Sequence, residues 1–238
     1  MPRVVRRAMT AAVEYGVARA GIAVVRALDR DVIGQAHHPR GAAGSVNGWV
    51  FAHRPSNRQR NRWAVSLLDV QPADRVLEIG FGPGLAVAAL ARAGAGHVYG
   101  IDHSAVMLRQ AARRNSAAIR AGRVTLINAP ADQLPAALDG PFDAILAVNS
   151  LGFWPAPAER LADLRRRLAP GGRIAIASQP RCPGATAGTS RSAADEVETL
   201  LRSAGFTHLS TETLPLSPPV ICVLAAAPGP DANHTPRT

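Results

Sequence analysis

The chain predicts a three-layer α/β fold, a mostly parallel sheet covered by helices on both faces, on three observations. From residue 75 onward, short apolar runs of strand character alternate with helical patterns. A glycine-rich turn joins the first of these strands directly to a helix. The two C-terminal runs, 206–214 and 220–226, are separated only by the Pro-rich residues 215–219, which reads as a hairpin and not as another crossover unit.

The elements follow in chain order. Residues 3–30 mix Val, Ala, Ile and Leu with Arg3, Arg6, Arg7, Arg19, Arg26 and Arg30 and read as an amphipathic helix. They lack the apolar block and small-residue cleavage site of a secretory signal, so the expected role is to pack on or cover the main domain, with a peripheral membrane contact left open. A Gly/Ala/Ser cluster over 34–48 reads as a linker. This divides the chain into an N-terminal helical extension and linker (1–46), a main domain (47–227) and a polar, Pro-rich tail (228–238) expected to be disordered. Within the main domain a helix is expected over 58–70, carrying Trp63, Val65, Leu67 and Leu68 at helical spacing. Strands are expected at 75–80, 97–101, 123–127, 143–148 and 172–178. Helices are expected between them at 84–93, 104–119, 132–137 and 157–168, with Pro170, Gly171 and Gly172 turning into the fifth strand. A helix over 192–204 and strands at 206–214 and 220–226 complete the domain.

Composition limits the function classes. The 238 residues are 47% hydrophobic, enough for a sizeable core, and no run of about 18 uninterrupted apolar residues suggests a membrane span. The formal charge of +10 would ordinarily point to a polyanion. All 27 basic residues are Arg, however, and the abundant Ala and Gly beside them carry the stamp of a GC-rich coding sequence. The charges are scattered and do not alternate with aromatics, so a nucleic-acid partner is not expected. Cys182 and Cys222 have no metal-ligand spacing, which fits a reducing, cytoplasmic setting, and no metal is expected.

The glycine turn carries the chemistry. The strand Arg75-Val76-Leu77-Glu78-Ile79 runs into Gly80-Phe81-Gly82-Pro83-Gly84 and then into a helix, so the backbone can turn sharply and approach a ligand at a helix N-terminus. A dinucleotide fingerprint needs its third glycine where Leu85 stands, and a phosphate-binding loop needs a Lys that this chain lacks. The next strand ends in Asp102-His103-Ser104; an acid at a strand tip about twenty residues past the glycines suits both hydroxyls of a ribose, and Ser104 is available to cap the following helix.

The G-x-G-x-G run preceded by Glu78, the Asp102 strand tip, the segment 128–135, the strand 142–151 and the turn at 168–173 together resemble class I S-adenosylmethionine-dependent methyltransferases over most of residues 55–226, with bacterial small-molecule members the nearest in pattern. The resemblance implies a Rossmann-like, seven-stranded sheet with an antiparallel last strand. It implies S-adenosyl-L-methionine as cofactor, held by Glu78, Gly80, Phe81, Gly82, Gly84 and Asp102, with His103 on the adenine. Ala131 is expected to offer its N–H to the ring. Pro130 stands where the family usually has Asp, so Asp132 or a backbone carbonyl must accept from the adenine amino group. Asn149 and Ser150 face the methionine portion, and Asn61 lines its end of the site. The expected partner is a small-molecule methyl acceptor, with Gly152-Phe153-Trp154-Pro155 as an apolar wall or a core pair under a loop. An RNA methyltransferase or RNA-binding protein, and a non-catalytic cofactor-binding scaffold, are the alternatives. The cofactor's methyl is already activated, so no base is assigned; His37, His38, His53 and Asp132 are the titratable candidates.

Overall fold

Apolar runs too short for helices become the strands in the middle of the sheet, buried on both faces, while the last-but-one strand is a polar, largely exposed edge. The strands are β1 (Arg75–Ile79), β2 (His97–Asp102), β3 (Val124–Asn128), β4 (Phe142–Val148), β5 (Leu168–Ser178), β6 (Thr207–Leu214) and β7 (Val220–Ala226). Between and before them lie α1 (Pro55–Leu67), α2 (Leu85–Ala93), α3 (Ala105–Arg114), α4 (Ser116–Arg120), α5 (Pro157–Arg167) and α6 (Ala187–Ser203). The computed structural model describes residues 55–229. The expected N-terminal helix and linker, His37, His38, His53 and the tail from residue 230 lie outside the described residues.

The strands form one seven-stranded sheet in the order β3-β2-β1-β4-β5-β7-β6. β1 pairs in parallel with both β2 and β4, and β7 pairs antiparallel with β5 and β6, so the expected terminal hairpin closes one edge. Because the chain steps outward from β1 first to one side and then to the other, a crevice opens above the carboxyl ends of β1 and β4. On one face Leu77, Ile79, Ile101 and Ile145 pack with Leu161 and Leu164 of α5 and Val197 and Leu201 of α6. On the other, Val76, Val98, Leu146 and Ala175 pack with Ala64, Val65 and Leu68 and with Leu90 of α2. Among the described residues no helix is long and apolar enough to cross a membrane.

The helix expected over 58–70 lies at Pro55–Leu67, and four further elements differ from expectation, each for a local reason. The helix expected over 132–137 is a turn followed by a single 3-10 turn, Ala136–Leu138, because Pro135 holds an extended ψ of 148° at its start. The helix expected over 104–119 is interrupted at Asn115, whose side-chain amide donates to the carbonyls of Ala111 at 2.9 Å and Gly84 at 3.2 Å. α6 begins earlier than residue 192, because Thr186 and Thr189 form a reciprocal capping box. β5 begins at Leu168, before the Pro-Gly-Gly turn: Phe142 pairs with Leu168 and Ala144 with Arg173, and residues 169–172 bulge between them.

Arg173 fastens α1 to this sheet. Its Nε donates to the Leu68 carbonyl at 2.6 Å and its Nη2 to the Asp69 carbonyl at 2.8 Å and to the Asp74 carboxylate. α2 and α3 meet at Gly84, where φ is +75° and a Cβ would lie 2.7 Å from the Cβ of Ala111. A Gly84→Ala substitution should therefore cost about 2–4 kcal/mol, from the left-handed backbone and the overpacked helix contact. The loss should appear as a lower urea midpoint; an unchanged midpoint would show that α3 retreats without cost.

Candidate functional site

The crevice above β1 and β4 is a cavity of about 920 Å³. Its lining includes Glu78, Gly80, Phe81, Gly82, Asp102, His103, Ala131, Asp132, Asn149, Ser150 and Asn61. Gly84 is absent from that lining and serves the α2–α3 contact instead.

The loop after β1 is shaped by its three glycines, all at positive φ, but they do different work. A Cβ on Gly80 would lie 2.5 Å from the Cβ of Ser150, so Gly80 lets the end of β4 close over β1. The Ser150 hydroxyl donates to the Ile79 carbonyl at 2.6 Å and locks that approach. A Cβ on Gly82 meets nothing within 4 Å, so at this residue the loop borders open cavity. Between them the Phe81 ring, 3% exposed, sits on Gly100 of β2, where an added Cβ would lie 2.9 Å from it. Phe81 thus anchors the loop through its ring.

The tip of β2 holds this loop in place. Asp102 accepts the Gly82 N–H through Oδ2 and the Ser104 N–H through Oδ1, each at 2.8 Å. Burial pushes its carboxyl above the usual range, while those two N–H groups and nearby His103 oppose the rise. His103 lies beside it, with Nδ1 3.8 Å from Asp102 Oδ1 and a side chain 42% exposed. Ser104 caps α3, accepting the Met107 N–H at 3.4 Å. Glu78 is buried and its Oε2 has no hydrogen-bond partner. Burial and the Asp102 charge hold its carboxyl well above the ordinary value, against the pull of the Val87 N–H.

The loop after β3 is tied to the same tip. The Asn128 side chain and the Ala129 N–H both donate to the Asp102 carbonyl, at 2.7 and 3.1 Å, which brings Ala129, Pro130, Ala131 and Asp132 to the cavity wall. The Pro130 carbonyl accepts the Gln133 N–H at 3.2 Å, and the Asp132 carbonyl accepts from Arg160 at 3.2 Å, so both of these loop carbonyls are engaged. Asn149, at φ +54°, accepts the Gln179 N–H through Oδ1 at 2.8 Å. The oxygens of Asn149 and Ser150 therefore serve the architecture of the β4 tip. Trp154 joins the core and Phe153 stays 47% exposed, and both line the cavity, so the segment divides between the two roles expected for it.

Ser178, Gln179, Arg181 and Glu196 line the cavity without any motif to mark them, while Asn57 and Arg60 come from the stretch 57–63, where Asn61 alone is expected at the site. Asn57 and Arg60 continue the buried stripe of Ala64 and Leu68 toward the N-terminus of α1, one helical turn at a time. Buried polar side chains on such a stripe are the signal that could have found them.

Residues 76–172 match the family model described as a methyltransferase domain. The chain is 29% identical over 185 residues to an uncharacterized methyltransferase of Bacillus subtilis (strain 168), covering 77% of this chain and 98% of the relative. It is 39% identical over 103 residues to the demethylmenaquinone methyltransferase of Clavibacter sepedonicus, covering 43% of this chain and 40% of that one, so the chain spans well under two thirds of that relative's length. The fold matches the crystal structure of the N-methyltransferase NodS from Bradyrhizobium japonicum WM9 in complex with S-adenosyl-L-homocysteine, at a TM-score of 0.61 and 19% identity over 76% of this chain and 91% of that one. A glycine loop bordering open cavity, an acid fixed at the β2 tip, an unsatisfied buried carboxylate oxygen at the β1 tip and these likenesses agree: residues 76–172 form a methyltransferase domain, and the chain is similar to the class I S-adenosylmethionine-dependent methyltransferases.

Proposed function

We propose that this methyltransferase acts on a small organic molecule, with residues 47–227 as its catalytic domain in a cytoplasmic setting. The observation that carries the reading is the shape of the cavity. At about 920 Å³ it lies near the upper end of the range of about 300–1,000 Å³ for small-molecule sites, and Phe153, Trp154, Val197 and Leu200 line it together with the cofactor loop. Two relatives are named for quinones, the demethylmenaquinone methyltransferase and a ubiquinone/menaquinone biosynthesis C-methyltransferase of Geotalea daltonii, which supports the reading.

The residues present fit the cofactor. Gly82 leaves room for close approach, and Asp102 lies at the β2 tip with its loop contacts made. The free Oε2 of Glu78 is an acceptor waiting for a donor. In this reading Asp102 holds the ribose, His103 and the Ala131 N–H meet the adenine, the Asp132 carboxylate accepts from its amino group, and Glu78 and Asn61 border the methionine portion. When bound, S-adenosylmethionine supplies a methyl group on a positively charged sulfur, so the chemistry asks the protein chiefly for alignment. Phe153 and Trp154 exclude water and orient the acceptor, and proximity of this kind contributes on the order of 7–11 kcal/mol.

Three measurements test the reading. Calorimetric titration of wild type with S-adenosylhomocysteine should saturate, and a Gly82→Arg variant should lose that binding while staying folded at a cost of about 1–2 kcal/mol for the left-handed backbone, since the new side chain enters the cavity and not the core. Equal affinity in the two proteins would remove the loop from the cofactor site. Labelled S-adenosylmethionine incubated with the protein and a cell extract should deliver its methyl to the small-molecule fraction. Label confined to the acid-precipitable fraction would instead establish a macromolecular acceptor. The third measurement uses the raised carboxyl of Glu78. A carboxyl whose folded value exceeds its unfolded value favours the fold at low pH and weakens it once ionisation is enforced. Glu78→Gln should therefore be more stable than wild type in urea at pH 8, with the difference vanishing as pH falls below 4.5, the ordinary value for Glu. A gap independent of pH would show that Glu78 is not held protonated by burial.

A further inference from the structure

One polar cluster in the cavity has no part in the nucleoside contacts. Arg60 of α1 is only 3% exposed, yet no carboxylate among the described residues forms an ion pair with it. Its Nη1 donates to Gln179 Oε1 and its Nη2 to Asn57 Oδ1, each at 2.5 Å, and its Nε is buried without a partner. Arg181, just beyond β5, donates to the same Asn57 Oδ1 at 2.7 Å. One neutral oxygen therefore bridges two guanidinium groups. Burial, and next the charge of Arg181, push Arg60 down to about 9, which still leaves it cationic at neutral pH. A buried cation held this way is incomplete until an anion joins it.

The position of the cluster indicates which anion. Gln179 follows the end of β5, and its N–H donates to Asn149 at the end of β4, so the guanidinium pair stands beside the β4 and β5 tips. Asp102 marks the nucleoside end at the tip of β2, across β1 from them. The same cavity carries the apolar side chains of Phe153, Val197 and Leu200. Glu196 and Asp132 also line it, but neither pairs with Arg60. We infer that Arg60, held by Gln179, and Arg181, joined to it through Asn57, recognise a carboxylate on the methyl acceptor, whose apolar body lies against Phe153 and Leu200. The planar guanidinium fork suits a two-oxygen anion, and the pair selects acidic acceptors over their neutral counterparts. This inference rests on the methyl-transfer reading above.

The test uses the full chain saturated with S-adenosylhomocysteine and titrated with benzoate and with benzamide, its neutral counterpart of similar shape. Wild type, Arg60→Met and Arg181→Met are compared; the exposed Arg181 provides a variant whose folding is not at risk. Benzoate should bind wild type about tenfold or more tightly than benzamide and weaken about tenfold or more in either variant, as loss of charge-assisted hydrogen bonds predicts. S-adenosylhomocysteine affinity should remain unchanged in Arg181→Met. No benzoate binding, or equal binding of benzoate and benzamide, overturns the inference. Weakened S-adenosylhomocysteine binding with benzoate unaffected overturns it too, because the pair then serves the cofactor's own carboxylate. Failure of wild type to bind S-adenosylhomocysteine is a separate result and removes the methyl-transfer reading itself.

Discussion

Both oxygens of Asp102 are occupied by main-chain N–H groups, one from Gly82 in the loop after β1 and one from Ser104 at the start of α3, and the geometry of the site depends on this bracket. A buried carboxylate is costly to desolvate, and two charge-assisted hydrogen bonds are what offset that cost here. The bracket joins the tip of β2 to the glycine loop on one side and to the cap of α3 on the other. The Asp102 carbonyl extends it to the loop after β3 through Asn128 and Ala129. Three consecutive strand tips thus share one residue, which is how the loop wall of the cavity keeps a defined outline.

Within that outline, side chains and glycines divide the work. Gly80 and Ser150 bring β4 over β1, Phe81 grips β2 through Gly100, and Gly84 accommodates α3, so Gly82 is the position where the loop turns outward to the cavity. Helix α1 shows a similar division along its length. Ala64 and Val65 pack in the core, whereas Asn57 and Arg60, on the same stripe, reach the cavity. One helix therefore anchors the domain and furnishes the polar end of the site.

The exclusive use of Arg also finds structural employment. Arg173 takes the carbonyls of Leu68 and Asp69 just past α1, and Arg123 takes the carbonyl of Ala91 at the end of α2 at 3.1 Å. Helix C-terminal carbonyls lack intrahelical donors and carry partial negative charge, so guanidinium groups satisfy them in both respects. Arg167 similarly joins the Leu138 carbonyl to Asp139 and Asp163. A sizeable share of the basic side chains thus staples one element to the next.

The sequence alone determined the alternation of elements, the glycine loop, the acid at the β2 tip and the terminal hairpin. These are local: apolar periodicity and positive-φ glycines are dictated within a few residues of chain. Eleven of the twelve residues expected at the cofactor site line one cavity, because the motif positions are tied to strand tips and strand tips lie together once the sheet order is set. Only the tertiary structure decided the rest. It assigned Gly84 to a helix contact, because Ala111 and Asn115 approach it from another helix. It reduced the helix expected over 132–137 to a single 3-10 turn that ends on Leu138, which is fully buried in the core. It brought Arg60 and Arg181 to one amide oxygen across 121 residues of chain, a juxtaposition that no spacing in the sequence reveals, since burial and partnership belong to the packed sheet and not to the local chain.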